Sequence, residues 1–494
     1  MNNTMVQAAE LSVGLTDILL ISPMIVLFLF SLIPLTIKVL RGNVEQSPAA
    51  TVIISLIGLA LAAGLLIVFG GSDKVVFNNQ LLFDGLTKWT GLIAIIAAAG
   101  SLILMYENPA TRGAQFSEIN FLTMNSIVGM LILVSAVNLL TVFIGLEMMS
   151  LALYLLVAMS HEQKLSKEAA IKYFVLGSFA SALFLYGVSF IFGSVNTINI
   201  SDFMQSSETL VTSNKLFLFG ICFVFLGFCF KVSIVPFHAW TPDVYQGAPT
   251  PVSSFMATAV KTASFAAFLR LAATNSMLGS QNLVDILQWL AVITMIVGNV
   301  GAIMQNNLKR VLAYSSIAHS GYLLVGLIAV GVSQNSAEAA TSVIFYLLTY
   351  SVMTMGAFAI VSMLERNENT FITNDSLAGL AKNQPLMAFC LTVFMLSLAG
   401  IPPTLGFFGK FYLFSAAVNE KLLWLALWGV INSVISVFYY LRPIVMMYMK
   451  AGEADVADHS LHATMVTVIA SAVFIIVVGI FSGPLYALVE KSLS

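Results

Sequence analysis

The stretch FKVSIVPFHAWTPDVYQGAPTPV (residues 230–252) opens as the end of an apolar membrane span and then carries Pro236, Pro242, Gly247, Pro249 and Pro251. A proline inside a helix removes one backbone hydrogen bond, and its ring clashes with the preceding turn. The span predicted here must therefore break. A second stretch, LAGIPPTLGFFGKFYLF (398–414), does the same with Gly400, Pro402, Pro403, Gly406 and Gly409. Non-helical backbone at membrane depth is tolerated only where it is buried in protein or lines a wet cavity. Two such breaks point to a polar path inside an otherwise apolar protein.

The rest of the chain supplies the membrane. Its 494 residues are 59% hydrophobic and 9% charged, and the mean hydropathy is +0.95. Soluble proteins carry about 25% charge. Apolar stretches of the roughly 20 residues needed to span a bilayer recur throughout. The fold class is therefore an all-α polytopic membrane protein. Fourteen spans are predicted, at 15–38, 50–70, 86–105, 118–137, 139–159, 168–193, 215–236, 250–274, 283–304, 308–332, 337–364, 384–416, 421–448 and 464–489. The longer loops, near 70–86 and 194–214, read as ordinary connectors rich in Gly, Ser and Asn. A net charge of −2 argues against a nucleic-acid partner. Cys222, Cys229 and Cys390 lie in apolar segments without zinc or disulfide spacing and read as small core residues. Glu10 and Asp17 precede the first basic residue, Lys38, which does not fit a cleaved signal peptide.

Basic residues orient the spans. Loops after odd-numbered spans, with the adjoining span ends, hold Lys38, Arg41, Arg112, Lys164, Lys167, Lys309, Arg310, Arg366, Lys382, Arg442 and Lys450. Those after even-numbered spans hold Lys74, Lys88, Lys215 and Lys421, and Lys491 is terminal. The positive-inside rule then puts the odd loops in the cytoplasm, or on a matrix-like side, and both termini on the opposite side.

Five basic residues, Lys172, Lys231, Lys261, Arg270 and Lys410, remain inside spans, and Glu147 is the acid placed firmly at mid-span. A charge at the bilayer centre costs at least about 2.5–3.5 kcal/mol and is rarely kept without a use. Burial also disfavours an ammonium, which makes such a lysine a candidate proton carrier. The two breaks are spans seven and twelve, five spans apart. Lys231 precedes one and Lys410 follows the other. Two spans before each break stands a titratable residue, Glu147 or His319. Paired discontinuous helices in corresponding positions mark repeats around a transport path. A repeat of five spans forces the second copy to insert inverted.

Glu147, in TVFIGLEMMSLALYLLVAMS, needs a partner or a proton. The expected partner is Lys231 on a neighbouring helix; the alternative is a neutral acid bonded to a backbone carbonyl. Lys261, in MATAVKTASFAAF, stands among small residues that permit close packing and water access. It is a candidate relay to the centre. Lys172, near the start of span six, either snorkels to the interface or serves the path. Arg270 reads as an interfacial anchor. His238 and Asp243 lie in the first break, where a relay and a backbone-capping role are both open. His319 stands among Tyr314, Ser315, Ser316 and Ser320, a cluster able to hold a hydrogen-bond chain. Met148 and Met149 read as packing. No cysteine cluster suits an iron–sulfur centre, no nucleotide-binding glycine motif follows a strand, and His459 and His462 sit in a polar loop.

At three stretches the chain resembles a known family. PFHAWTPDVYQGAPTPV (236–252), NNLKRVLAYSSIAHSGYLLVG (306–326) and GIPPTLGFFGKFYLF (400–414) are similar to the antiporter-like membrane subunit N of bacterial NADH–quinone oxidoreductase, respiratory complex I. VYQGAPTPV resembles subunit N rather than its siblings L or M, and a lysine at position 410 fits N or L better than M. The resemblance covers nearly the whole chain. It implies two inverted five-helix repeats, 118–274 (spans four to eight) and 283–448 (spans nine to thirteen). An N-terminal three-helix segment, 1–117, precedes them, and a C-terminal helix, 464–494, follows. It also implies Glu147 as modulating acid, Lys231 as pumping lysine, Lys261 as connecting lysine and Lys410 as exit-side lysine. Lys172 and His319 would belong to the central hydrophilic axis. This chain would hold no cofactor. NADH, FMN, iron–sulfur clusters and quinone would sit in partner subunits, and its partners would be antiporter-like and quinone-site membrane subunits in the bacterial inner membrane. The alternatives are a subunit of a multi-subunit Na+/H+ antiporter or membrane-bound hydrogenase, or a purely structural spacer. A stand-alone solute transporter fits least.

Overall fold

The computed structural model describes residues 14–42, 47–111, 116–160, 164–204, 207–273, 281–333, 336–367, 370–452 and 462–493. Glu10, Arg112 and His459 lie outside them. In chain order the helices begin α1 (Leu15–Leu40), α2 (Pro48–Phe69), α3 (Gly85–Glu107), α4 (Phe116–Ser135), α5 (Leu139–Val157) and α6 (Lys164–Val195). Two short helices, α7 (Ile200–Met204) and α8 (Ser207–Ser213), lead to α9 (Lys215–Lys231) and α10 (Trp240–Gly247). The next span is α11 (Thr250–Phe255), a π-helical turn (Met256–Val260) and α12 (Lys261–Ala272). Then come α13 (Gln281–Ile303), α14 (Leu308–Val332), α15 (Ser336–Leu364), the single turn α16 (Leu380–Asn383), α17 (Pro385–Ala399), α18 (Leu405–Asn419), α19 (Leu423–Met449), α20 (His462–Ile480) and α21 (Ser482–Leu493). The protein is an all-α polytopic membrane protein. Among the described residues, 12 helical segments are long and apolar enough to cross a membrane.

The two proline-rich stretches account for the remaining expected spans. The helix expected over 215–236 ends at Lys231, because Ser233 turns to φ +63° and Pro236 donates no hydrogen bond. The span expected over 384–416 divides into α17 and α18 at Gly400, whose φ of +81° favours glycine. Two further differences appear. Span 464–489 is interrupted at Phe481, since Pro484 withholds the N–H that would continue α20. The loop near 70–86 is no plain connector. It holds a hairpin of β1 (Lys74–Val76) and β2 (Leu81–Phe83), paired antiparallel with Lys74 opposite Phe83.

Burial ranks the helices from centre to rim. The membrane-length window of α15 and that of the α11–α12 span are wholly buried, and that of α14 is 94% buried. The corresponding windows of α1 and α2 are 33% buried and those of α6 and α19 39%. The inner helices are also the ones rich in Ser, Thr and Tyr. Lipid tails offer no hydrophobic drive between helices, so close packing and hydrogen bonds must hold the bundle. The α6–α9 contact illustrates this. A methyl group on Gly187 would lie 2.7 Å from the Gly220 carbonyl oxygen, and one on Gly220 would lie 2.9 Å from that of Gly187.

Candidate functional site

Half-helix ends position two of the lysines. Lys231 is the last residue of α9, where the helix dipole favours a cation. Its side chain is buried, donates to Ser150 Oγ on α5 at 2.8 Å, and lies 5.9 Å from the ring centres of Tyr154 and Phe230. Lys410, on α18, reaches back across the second break. Its Nζ donates to the carbonyl oxygens of Leu398 and Ala399, both at 3.0 Å, and to Ser433 Oγ at 2.9 Å. Those carbonyls are among the last four that α17 leaves without helical partners. The ammonium also sits 5.0 Å from the Tyr322 ring centre. Both lysines thus place their charge at the C-terminal end of a half-helix, each reaching it from a different side of its break. A cavity of about 500 Å³ between α18 and α19 opens beside Lys410.

Lys261 occupies the centre. It follows the π-helical turn, a device found often at functional positions. Its Nζ donates to the Ser316 carbonyl oxygen at 2.6 Å, to Ser316 Oγ, and to Ser320 Oγ at 2.9 Å, with the Tyr350 ring centre 5.5 Å away. Ser320 in turn donates to the Val232 carbonyl oxygen at 2.5 Å. Val232 is the residue after Lys231, so one serine hydroxyl joins Lys261 to the first break. The residue before Ser320, His319, is buried. Its Nδ1 is 2.6 Å from Tyr346 OH, its Nε2 is 3.1 Å from Tyr440 OH, and Tyr440 bonds to Ser315 Oγ. The serines expected around His319 therefore divide. Ser316 and Ser320 serve Lys261, Ser315 reaches the histidine through Tyr440, and Tyr314 packs against Gly301.

Glu147 does not make the direct pair with Lys231 that its position suggests. Its carboxylate accepts a hydrogen bond from Ser181 on α6, while Ser150, one turn further along α5, takes the ammonium. Lys172 lies at the margin. Its side chain is 42% exposed and pairs with Glu168 and Asp243, each at 2.8 Å. Asp243 also binds Arg310 at 3.0 Å, so α6, α10 and α14 meet at one carboxylate. His238 Nδ1 is buried without a hydrogen-bond partner among the described residues, and no hydrogen bond there joins it to the lysines.

Arg270 is a correction. Its side chain is buried in the protein rather than reaching towards lipid, and its guanidinium grips Asp84 with two hydrogen bonds of 2.8 and 2.9 Å. It also donates to Thr87 Oγ1 and to the Val134 carbonyl oxygen. Asp84 was hidden in a polar loop, as were Ser150, Ser181, Ser433, Tyr346 and Tyr440 in apolar spans. The available signal was the spacing of Tyr346 and Tyr350, four apart on one helix face. Among the described residues no group of three or more His, Cys, Asp or Glu is placed to hold a metal, and Cys222, Cys229 and Cys390 are free thiols.

A family model described as NADH:quinone oxidoreductase/Mrp antiporter, TM, matches residues 136–436. The chain is 67% identical to NADH-quinone oxidoreductase subunit N of Bdellovibrio bacteriovorus, over 98% of this chain and 100% of that protein. It is 42% identical to the protein of the same name from Trichlorobacter lovleyi, over 81% and 82% of the two chains. Among solved structures it superposes on a chain of respiratory complex I from Thermus thermophilus with a TM-score of 0.81 and 32% identity, covering 96% of this chain and 99% of that one. A chain of the Mrp complex from Dietzia sp. shares the fold, with a TM-score of 0.81, 18% identity and 97% of each chain covered. The chain belongs to the family of NADH-quinone oxidoreductase subunit N.

Proposed function

We propose that this protein is a proton-translocating membrane subunit of NADH–quinone oxidoreductase, coupling quinone reduction elsewhere in the complex to proton movement along Glu147, Lys231, Lys261 and Lys410. Protons from the cytoplasm reach the central lysines through hydroxyls and water. A change in the separation of Glu147 and Lys231 alters how firmly Lys231 holds its proton. The proton then passes by Lys261 and the His319 network towards Lys410 and out. Each 1.36 kcal/mol of altered charge interaction changes a proton affinity tenfold, and charges in a poorly screened site interact by several kcal/mol. His319 acts in the relay. Lys172 and His238 lie at its margins.

On this reading the chain carries two inverted five-helix repeats, residues 118–274 and 283–448, in the bacterial inner membrane, with both termini periplasmic. NADH, FMN, iron–sulfur clusters and quinone belong to partner subunits, and other membrane subunits of the complex flank it. The observation that carries the reading is the Ser320 hydroxyl, which links buried Lys261 to the carbonyl beside buried Lys231. An Na+/H+ antiporter subunit fits less well, since identity to the oxidoreductase relatives far exceeds that to the Mrp chain. A passive spacer would have no use for three costly ammoniums. Proton pumping by the reconstituted complex with Lys231→Ala tests the proposal. Loss of pumping with the complex assembled is expected, and full pumping would overturn it.

A further inference from the structure

A second buried acid lies outside this axis. Glu365 follows the last residue of α15 and is buried, while Arg366 and Asn367 beside it are exposed. Its Oε1 accepts from Thr250 Oγ1 at 2.5 Å and its Oε2 from Asn108 Nδ2 at 2.9 Å. Lys309 Nζ stands 3.9 Å from Oε1 and donates to the Ala248 carbonyl oxygen at 2.7 Å. The carboxylate is thus held by α3, α11, α14 and α15 at their ends on the side of the odd-numbered loops.

A polar seam runs inward from it. Thr250 starts α11, Ser254 and Thr258 follow on the same helix face, and Lys261 opens α12. All three hydroxyl residues are fully buried. Thr262 bonds to Ser351 at 3.1 Å across to α15. Three hydroxyls on the helices that form this seam, Ser101 on α3, Ser254 on α11 and Thr354 on α15, have no hydrogen-bond partner among the described residues. An orphaned buried hydroxyl costs about 1–3 kcal/mol, and a bound water is the usual remedy. Hydroxyls four residues apart lie about 6 Å apart along a helix rising about 1.5 Å per residue. One bridging water with two hydrogen bonds of about 2.8 Å fills that gap.

We propose that Glu365 is a proton-uptake group and that the Thr250–Ser254–Thr258 face, with its waters, conducts protons from it to Lys261. The carboxylate takes a proton from loop-side water, leaving hydroxide to the solvent. It passes the proton to the first seam oxygen and regains its charge, while each oxygen hands one proton on. The neutral Lys261 amine receives the last one as its lone pair forms the new N–H bond. Lys309 keeps the resting carboxylate paired. The inference rests on Lys261 being a carrier, as proposed above.

The test uses the assembled complex in proteoliposomes with Ser254→Val, Ser254→Ala and Glu365→Gln, beside Lys261→Met. Valine puts a second methyl where the hydroxyl stood and excludes water; alanine leaves room for one. Ser254→Val is expected to slow pumping about tenfold or more, in the range of losing one proton-transfer group, with Ser254→Ala milder. Glu365→Gln is expected to match Ser254→Val, and if it fails to assemble, Ser254→Val decides alone. Unchanged pumping in Ser254→Val, with pumping lost in Lys261→Met, overturns the seam and leaves the lysine axis standing. Unchanged pumping in Lys261→Met removes the axis itself.

Discussion

Replacing Arg270 by methionine separates a structural ion pair from a transport charge. In the native protein Arg270 makes two hydrogen bonds to Asp84, one to Thr87 and two to the Val134 carbonyl oxygen, tying α12 to the start of α3 and the end of α4. Arg270→Met leaves the Asp84 carboxylate without its cation. Stranding one partner of a buried pair costs about 3–5 kcal/mol. The Asp84 side chain is 21% exposed, which argues for the lower end. Asp84 also caps α3 through the Thr87 N–H at 2.9 Å, a role asparagine retains. The double variant Arg270→Met/Asp84→Asn removes the stranded charge and keeps the cap, so its cost falls to about 1 kcal/mol. The assay is thermal dissociation of the subunit from the solubilised complex, followed for both single variants and the double. Acid adds a second check. Burial works against the Asp84 carboxylate, yet the Arg270 charge and hydrogen bonds, with those of Thr87, hold it below the ordinary value. A lowered folded-state value gives stability that is present above the unfolded value of about 3.9 and lost as pH falls through the folded one. The gap between native protein and Arg270→Met should therefore narrow below about pH 4. Equal destabilisation in the single and double variants would refute the reasoning.

Other outcomes follow from the site. Ser320→Ala removes the link between Val232 and Lys261 while Ser316 still holds the ammonium; it should cost about 1–2 kcal/mol and slow pumping in an assembled complex, and unchanged pumping would contradict the link. Gly400→Ala forces a side chain into φ +81° at about 1–2 kcal/mol and sets a methyl 3.0 Å from Lys410 Cδ. It should weaken both assembly and pumping, and a silent substitution would show that Lys410 needs no fixed seat. Lys172→Met breaks only half-exposed pairs while Arg310 keeps Asp243 matched. Assembly should change by less than about 1 kcal/mol, and loss of the subunit from the complex would contradict that.

The breaks were legible because proline and glycine act locally: Pro236 and Gly400 interrupt a helix whatever surrounds them. The lysines were legible because charge in an apolar run is costly wherever the run packs. Partners were not, since they depend on which helix faces meet. Glu147 and Lys231 look like a pair in sequence, but the turn from Glu147 to Ser150 on α5 places a hydroxyl against the ammonium. Arg270 was misread because its partner, Asp84, lies 186 residues away in a loop with no periodic signal. Glu365 escaped notice because it stands at a span end, where an acid ordinarily faces water.

The central claim is that protons pass through Lys261. The most direct measurement is simultaneous proton and electron flux in proteoliposomes carrying the assembled complex with Lys261→Met. Methionine keeps the bulk of the side chain and removes its proton-carrying nitrogen. The account expects proton pumping to collapse while the complex stays intact; pumping at the native rate and ratio would contradict it.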